Sequence, residues 1–220
     1  MIPTPSTSHL TKEDFRKVYE PAEDTFILLD ALEADAEALT RSLSAPLCVE
    51  IGSGSGIVTT FLSQIFGSNT GTYIAIDLNP HANRCTVTTG KANGVHIEAI
   101  RTSLLSGLRS RLRGNVDVLL FNPPYVPTEE EEEAMAQGKA GIEGSWAGGA
   151  TGTRLVDELI DDGVISDVLA EGGRCYLVAI KQNDPQGLVR RLKVQGLEAE
   201  VVLARRAGGE HLHVVRAIKP

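Results

Sequence analysis

Residues 47–56 read LCVEIGSGSG, an apolar pentapeptide followed by three glycines that alternate with serines. Apolar runs of this length beside turn signals are typical of buried strands, and glycine favours a tight turn because it lacks a Cβ atom. Apolar residues then recur at helical spacing from Ile57 to Ile65. The segment therefore predicts a strand, a turn and a helix, and such a turn exposes bare backbone to a ligand at the carboxyl edge of a parallel sheet.

The rest of the chain repeats this alternation. Apolar runs predict six further strands, at residues 73–76, 96–100, 116–121, 175–180, 199–203 and 212–218. Helical spacing predicts helices at residues 21–41, 80–93, 155–160 and 186–194. Only Ala207-Gly208-Gly209 and a few neighbours separate the last two strands, which predicts an antiparallel hairpin. We expect an α/β fold with a mostly parallel seven-stranded sheet and an antiparallel C-terminal strand, in one domain at residues 19–220 after an N-terminal lead at residues 1–18.

The composition limits the classes of partner and the compartment. The 29 acidic residues outnumber the 21 basic ones, which gives a formal charge of -8 and disfavours stable binding to nucleic acid. Cys48, Cys85 and Cys175 are widely spaced among apolar neighbours, so we expect buried, reduced thiols rather than disulfides or a metal site. No apolar stretch is long enough for a membrane span. We expect a cytoplasmic protein, and the sequence leaves a nuclear pool open.

The glycine turn has two features that indicate an adenosine-containing ligand. The glycines follow a Gly-x-Gly-x-Gly pattern after the acidic Glu50, and no basic side chain in the turn could attract a pyrophosphate. Asp77 ends the next strand, where its carboxylate could accept both ribose hydroxyl hydrogens. We therefore place Glu50, Gly52, Gly54 and Asp77 in a cofactor site. Two plainer interpretations stay open: the turn is only a tight connection, and Asp77 caps the following helix together with Asn79.

The most specific motif is Asn122-Pro123-Pro124-Tyr125, which directly follows the fourth strand. Two prolines stiffen the backbone and remove two N–H donors, so the Asn122 side-chain oxygen and the Pro123 carbonyl form a pair of acceptors. Such a pair can hold both hydrogens of a planar NH2 group while Tyr125 offers a flat face for stacking. The motif predicts a site that fixes an amide or amino nitrogen for attack on an electrophilic methyl group. Its plainer interpretation is an ordinary proline turn.

From Tyr19 onward the chain resembles the HemK-like glutamine methyltransferases, which act on the Gly-Gly-Gln motif of translation release factors. It is most similar to their short eukaryotic and archaeal branch. Five segments carry the resemblance: YEPAEDT at residues 19–25, EIGSGSG at 50–56, DLNP at 77–80, NPPYV at 122–126 and WAGG at 146–149. The resemblance implies a Rossmann-like class I methyltransferase fold, S-adenosylmethionine as methyl donor, and transfer to the side-chain nitrogen N5 of glutamine.

The resemblance also implies roles for individual residues. Contacts to S-adenosylmethionine would come from Thr25, Glu50, Gly52, Gly54, Asp77, Leu78, Ser103, Leu104 and Asn122. Asn122 and Tyr125 would hold the glutamine carboxamide and, with the Pro123 carbonyl, form the catalytic set. Relatives often carry an aspartate where this chain has Ser103, and a neutral hydroxyl accepts from the adenine amino group less strongly than a carboxylate does.

A partner subunit is a further implication of the resemblance. Bacterial relatives carry an extra N-terminal helical domain, whereas this chain has 18 residues before its first motif. The resemblance implies a small zinc-binding activator subunit that forms a heterodimer through an exposed sheet edge. In the usual strand order the third strand lies at the edge, so the apolar Val95, Ile97 and Ile100 are candidate contacts. The alternative is that helices of this chain cover them.

Several other functions stay open. A DNA adenine N6-methyltransferase would use the same acceptor pair, but the glutamates at 129–133 and the lack of a basic patch disfavour it. A protein lysine methyltransferase would need a base to deprotonate the ammonium group, and no obvious one accompanies the motif. A non-catalytic scaffold and an NAD-dependent dehydrogenase fit less well with the intact Asn122-Pro123 pair and the glycine spacing. Residues 128–146 are expected to form a mobile loop that recognises substrate or only moves aside, and Trp146 is expected to anchor it in the core.

Overall fold

Seven strands form one sheet within residues 1–124 and 153–220, the part of the chain that the computed structural model describes. The strands are β1 (Leu47–Ile51), β2 (Thr72–Ile76), β3 (Glu98–Ile100), β4 (Val116–Phe121), β5 (Leu169–Ile180), β6 (Glu198–Ala207) and β7 (Glu210–Ile218). Their order across the sheet is β3-β2-β1-β4-β5-β7-β6. Strands β1 to β5 run parallel, and β7 lies antiparallel between β5 and β6. The predicted mostly parallel sheet and its terminal hairpin are confirmed.

Helices cover both faces of this sheet. They are α1 (Lys12–Phe15), α2 (Glu23–Ala34), α3 (Ala36–Ser42), α4 (Ile57–Phe66), α5 (Pro80–Ala92), α6 (Arg109–Leu112), α7 (Arg154–Asp161), α8 (Val164–Val168) and α9 (Pro185–Val194). Alternate side chains of β4 point to opposite faces, so Val118 and Leu120 pack with α2, α3 and α4, whereas Leu119 and Phe121 pack with α6 to α9. Because helices cover both faces, the central strands β1, β2 and β4 are mostly apolar, whereas the edge strand β6 carries charged residues such as Glu200 and Arg205.

The helix predicted at residues 21–41 is two helices, because the chain breaks at Asp35. The Asp35 carboxylate accepts hydrogen bonds from the Tyr176 hydroxyl at 2.6 Å and from Arg216 Nη1 at 2.5 Å. Tyr176 lies on β5 and Arg216 on β7, so the junction between α2 and α3 is tied to the sheet. The apolar spacing continues through the break, which is why spacing alone predicted a single helix.

β3 lies at the edge of the sheet, as predicted, but it is shorter than residues 96–100. Val95 and Ile97 precede it and are each 4% exposed. They pack under α5, where a Cβ atom at Gly90 would lie 2.9 Å from Ile97 Cδ1. The alternative interpretation, that a helix of this chain covers these side chains, therefore holds for Val95 and Ile97. Ile100 is half-buried.

The N-terminal lead packs along α5. Asn93, directly after that helix, donates from its side chain to the Ser6 carbonyl and accepts from the Ser6 N–H, both at 2.9 Å. Further along the lead, Leu10 and Val18 form a small apolar cluster with side chains of α5, namely Ala82 and Cys85. The lead therefore reaches the carboxyl edge of the sheet in contact with the rest of the fold.

The three cysteines are buried and unpaired, as the sequence predicted. Burial raises the pKa of the Cys175 thiol to about 12, so this thiol stays protonated at neutral pH. Within residues 1–124 and 153–220, no cluster of three or more His, Cys, Asp or Glu side chains could hold a metal ion. In the same ranges no helix is sufficiently long and apolar for a transmembrane segment.

Candidate active site

A pocket opens at the carboxyl ends of β1, β2 and β4, where the direction of strand progression reverses between β1 and β4. Ligands of open α/β sheets bind at such reversal points. Ten of the eleven residues predicted for the site line this pocket: Thr25, Glu50, Gly52, Gly54, Asp77, Leu78, Ser103, Leu104, Asn122 and Pro123. Tyr125, residues 128–146 and Trp146 lie outside the described residues, so the predictions about them stay predictions.

The glycine turn between β1 and α4 forms one wall of the pocket. The backbone N–H groups of Gly52 and Ser53 donate to the Ile76 carbonyl at 2.7 and 3.2 Å, which joins the turn to the end of β2. Gly54 has φ +53°, a left-handed conformation that L-residues rarely adopt, and its N–H points to the neighbouring carboxylate of Asp77. Hydrogen bonds of its backbone N–H groups therefore hold the turn in place, and the backbone of Gly52 and Gly54 lines the pocket.

Asp77 is oriented by two backbone donors. One carboxylate oxygen accepts from Gly54 N–H at 3.0 Å and the other from Asn79 N–H at 2.8 Å. The cap of α5 is Asn79, whose side-chain oxygen accepts from His81 N–H at 2.9 Å, so the helix does not need Asp77 as its cap. Burial raises the pKa of the Asp77 carboxyl, and its two backbone bonds oppose that shift. The carboxylate is thus fixed at the strand end beside the glycine turn.

Glu50 is 3% exposed and lies under the glycine turn. Its Oε2 accepts from the Thr59 backbone N–H at 3.0 Å and from the Thr59 hydroxyl, both in the first turn of α4. Burial raises the pKa of Glu50 from 4.5 to about 8, and the hydrogen bonds from Thr59 oppose the rise.

Asn122 is held by a buried acid from α2. Its Nδ2 donates to Asp24 Oδ2 at 2.9 Å, and Asp24 is 4% exposed. Asn122 Oδ1 is buried and has no hydrogen-bond partner within the described ranges. A buried carbonyl-type oxygen without a donor is costly, and a ligand donor in the pocket would satisfy it. Within the described residues, Asn122 Oδ1 is therefore an acceptor without a donor, and the predicted role of the motif stays a prediction.

Four pocket residues that the sequence reasoning did not assign to the site come from one segment: Val18, Tyr19, Pro21 and Asp24. The Tyr19 hydroxyl donates to Asp24 Oδ1 at 3.2 Å, so this segment is also connected internally. The motif at residues 19–25 marked the segment, but an acid in the first turn of a helix has a sufficient explanation in the helix dipole. The bond to Asn122, which the sequence does not indicate, links Asp24 to the predicted Asn-Pro-Pro-Tyr site.

The turn after β3 forms the far wall of the pocket. Leu104 has φ +48°, which is uncommon for a residue with a branched side chain and marks a backbone that its surroundings constrain. Ser103 is exposed, and its carbonyl accepts from Ser106 N–H at 2.9 Å. Ser103 and Leu104 therefore lie at the pocket in a hydrogen-bonded turn.

The charges of the pocket favour a cationic ligand. Asp24 and Asp77 supply carboxyl groups, and no lysine, arginine or histidine is among the described lining residues. A pyrophosphate in this position would face acids without a compensating cation. The pocket therefore suits a positively charged nucleoside far better than a dinucleotide.

Comparisons with known proteins agree with this geometry. A family model described as "Methyltransferase small domain" matches residues 24–139. "Methyltransferase HEMK2" of Mus musculus is 43% identical over 218 residues, which are 99% of this chain and 97% of the mouse protein. This chain belongs to the HEMK2 family of methyltransferases. The fold and pocket thus belong to a methyltransferase rather than to a dehydrogenase or a scaffold.

Two further relatives of this HEMK2-family methyltransferase have informative names. The "eRF1 methyltransferase catalytic subunit mtq2" of Schizosaccharomyces pombe is 38% identical over 227 residues, with 98% of this chain and 95% of that protein covered. A solved structure of the E. cuniculi Mtq2–Trm112 complex, described as responsible for methylation of the eRF1 translation termination factor, includes a similar chain. That chain is 27% identical with a TM-score of 0.66, and the match covers 92% of this chain and 99% of that one.

Proposed function

We propose that this methyltransferase is a catalytic subunit that methylates the side-chain amide nitrogen of glutamine in the Gly-Gly-Gln motif of a class 1 translation release factor. The observation that carries the proposal is the Asn122 side chain, whose Nδ2 is engaged by Asp24 while its buried Oδ1 has no partner in the described structure. An available acceptor at the end of β4 suits an NH2 group, which only donates. The names of the fission yeast and E. cuniculi relatives favour a release factor as the carrier of that amide.

S-adenosylmethionine fits the residues that line the pocket. It carries positive charge and no phosphate, and the described lining offers acids without a basic side chain. The Asp77 carboxylate, fixed at the end of β2, would accept from the ribose hydroxyls. Ser103 would accept from the adenine amino group. The remaining contacts would come from Thr25, Glu50, Gly52, Gly54, Leu78, Leu104 and Asn122.

The proposed chemistry requires orientation rather than a general base. When bound, S-adenosylmethionine would supply a methyl group made electrophilic by its positively charged sulfur, and the sulfur–methyl bond would break to leave a neutral thioether. Asn122 Oδ1 and the Pro123 carbonyl accept the two amide hydrogens and so hold the nitrogen in line for attack. Both oxygens also favour the positive charge that develops on nitrogen as the new N–C bond forms. The nitrogen then releases one proton to water.

We further propose a small zinc-binding activator subunit at the β3 edge of the sheet. β3 pairs with β2 on one side only in the described structure, so its other side presents unpaired backbone. Val95 and Ile97 are covered by α5 and contribute no contact surface, whereas Ile100 is half-buried and Val87 of α5 is 45% exposed. The complex of the E. cuniculi relative with Trm112 supports a partner subunit of this kind.

The test uses the full chain together with its activator. The pair is incubated with S-adenosylmethionine and release factor that carries glutamine or alanine in the Gly-Gly-Gln position, and added methyl groups are located by mass spectrometry. We expect one methyl group on the glutamine and none on the alanine protein.

Methylation of a residue other than this glutamine, or of DNA, would contradict the proposal. A methyl group that appears on lysine in both release factors would favour a lysine methyltransferase. DNA oligonucleotides methylated as fast as the release factor would favour an adenine methyltransferase.

A further inference from the structure

Asp24 has different partners on its two carboxylate oxygens. Oδ1 accepts from the Thr25 backbone N–H at 2.7 Å, from the Tyr19 hydroxyl at 3.2 Å and from the Thr25 hydroxyl at 3.3 Å. Oδ2 accepts from Asn122 Nδ2 at 2.9 Å, a contact between residues that lie 98 positions apart. Helix formation explains an acid at the start of α2, but it does not explain why this acid is buried against Asn122.

The orientation of the Asn122 amide depends on this contact. Half a turn about the last side-chain bond exchanges the oxygen and the NH2 group of an asparagine, so its shape alone does not decide which one faces a ligand. An ionised carboxylate only accepts, so Asp24 binds Nδ2 and leaves Oδ1 for other donors. Oδ1 has no partner among residues 1–124 and 153–220. The position of the Asp24 carboxylate thus determines which atom of the Asn122 side-chain amide faces the substrate.

We propose that Asp24 is a positioning residue that keeps the oxygen of Asn122, and not its NH2 group, toward the substrate nitrogen. The inference rests on the proposed function, because it requires a substrate group that donates hydrogens. The charged acceptor on Nδ2 also polarises the Asn122 amide and strengthens Oδ1 as an acceptor. Asp24 acts through Asn122 and has no assigned contact with the transferred methyl group.

The Thr25 N–H makes the arrangement directional. A backbone N–H cannot accept, so the atom of residue 24 that faces it must be an oxygen. In Asp24→Asn the introduced amide would therefore direct its oxygen to Thr25 and its NH2 group to Asn122. Asn122 would have to turn its own oxygen toward residue 24, which would place an NH2 group against the NH2 group of the substrate.

The first experiment compares Asp24→Asn with Asp24→Ala in the complex with the activator. We expect Asp24→Asn to lower kcat by about 100-fold, because two donors would face each other, and Asp24→Ala to lower it by about 10-fold, because Asn122 could then turn freely. Cofactor affinity, measured by calorimetry, should fall to a similar extent in both variants, because each removes the same carboxylate from the pocket. A purely structural role predicts the opposite order, since asparagine preserves the shape of aspartate and alanine leaves a cavity.

A double variant tests the same idea by rescue. In Asp24→Asn combined with Asn122→Asp, the introduced amide donates to one oxygen of the introduced carboxylate, and the other oxygen can face the substrate. We expect this pair to be at least about tenfold more active than either single variant, since Asn122→Asp alone places two carboxylates together. A double variant no more active than Asp24→Asn would overturn the proposal.

A readout that does not depend on turnover separates this inference from the proposed function. In the wild-type protein labelled at asparagine, the Asn122 NH2 protons should exchange slowly with water, because they are bonded to a buried carboxylate. In Asp24→Asn the same protons should exchange faster, because the NH2 group would face the pocket. Unchanged exchange in that variant would refute the positioning role, whereas altered exchange together with no glutamine methylation by the wild-type protein would refute only the proposed function.

Discussion

Gly56 lies against Thr86 of α5 so closely that a Cβ atom at position 56 would fall 2.6 Å from the Thr86 Cα. The Thr86 hydroxyl also holds the glycine turn, since it bonds with the Ser53 hydroxyl at 2.9 Å and donates to the Gly54 carbonyl at 3.3 Å. The turn and α5 therefore form one packed unit, and the backbone along the pocket depends on their contact.

Gly56→Ala should destabilise the protein by about 3 kcal/mol, through both the left-handed φ of +80° and the collision with α5. Gly94→Ala is the matched control, because Gly94 has φ +75° but a Cβ atom there would meet no described atom within 4 Å beyond its chain neighbours. The control should lose only about 1 kcal/mol. Chemical denaturation measures the free energy of unfolding of both variants. Equal losses would show that the close approach to Thr86 does not contribute to stability.

Glu50→Gln should flatten the pH dependence of stability. The folded pKa of about 8 exceeds the ordinary value of 4.5, so the folded protein binds this proton more tightly than the unfolded chain. The resulting stabilisation is complete below pH 4.5 and is lost as the pH rises through about 8. Denaturation curves from about pH 5 to pH 9 should show a steeper loss for the wild type than for the variant. If stability falls equally with pH in the wild type and the variant, the pKa of Glu50 is not raised in the folded protein.

Asn122→Ala should abolish methylation and leave cofactor binding measurable, because it removes the acceptor for the substrate amide while Asp77 and the glycine turn persist. We expect a loss of at least about 1000-fold in kcat. Asn115→Ala is a suitable control, since Asn115 is exposed and its side-chain amide bonds only to carbonyls of its own turn in the described structure. Full activity of Asn122→Ala would end the proposed mechanism.

Ser103→Asp should tighten cofactor binding about threefold and leave kcat unchanged, because an ionised acceptor binds the adenine amino group more strongly than a hydroxyl does. Ser103 is exposed, so the added charge has no burial cost. Calorimetry with S-adenosylmethionine measures the change. Much weaker binding would place adenine elsewhere in the pocket.

Val87→Asp should weaken the complex with the activator subunit by about tenfold, because a charge at an apolar contact must be desolvated. Val194→Asp is the control: Val194 is 88% exposed but lies on α9, which packs beside β6 at the opposite edge of the sheet. Interferometry with immobilised activator measures both affinities. Equal affinities of the two variants would remove α5 and the β3 edge from the interface, and full activity of the chain alone would show that the subunit is not required.

The sequence predicted the central strands well because both of their faces are buried, so β1, β2 and β4 read as mostly apolar runs ended by a polar turn. Helix ends were harder to predict. At the break, Asp35 bonds to Tyr176 and Arg216, which are more than a hundred residues away, and local spacing contains no information about such partners. The same limit applied to β3, where burial under α5 rather than strand pairing holds Val95 and Ile97.

The candidate site was predictable where it consists of strand-end motifs. Parallel strands bring their carboxyl ends to one edge, so Asp77, the glycine turn and Asn122 had to lie near each other. Asp24 was not predictable as part of the site, because its contact with Asn122 depends on how α2 packs against the sheet. The orientation of the Asn122 amide, which that contact sets, likewise becomes visible only in three dimensions.

The break at Asp35 gives α2 two fixed ends. Asp24, the second residue of the helix, lies at the pocket, and Asp35 follows its last residue with bonds to β5 and β7, about 17 Å away along the helix axis. We expect a missense change of Arg216 to remove one of the bonds that hold the Asp35 end of α2, and so to loosen the helix that carries Asp24. A genetic screen for lost methylation would therefore recover alleles at Arg216 and Tyr176 beside those in the pocket, although neither residue borders it in the described structure.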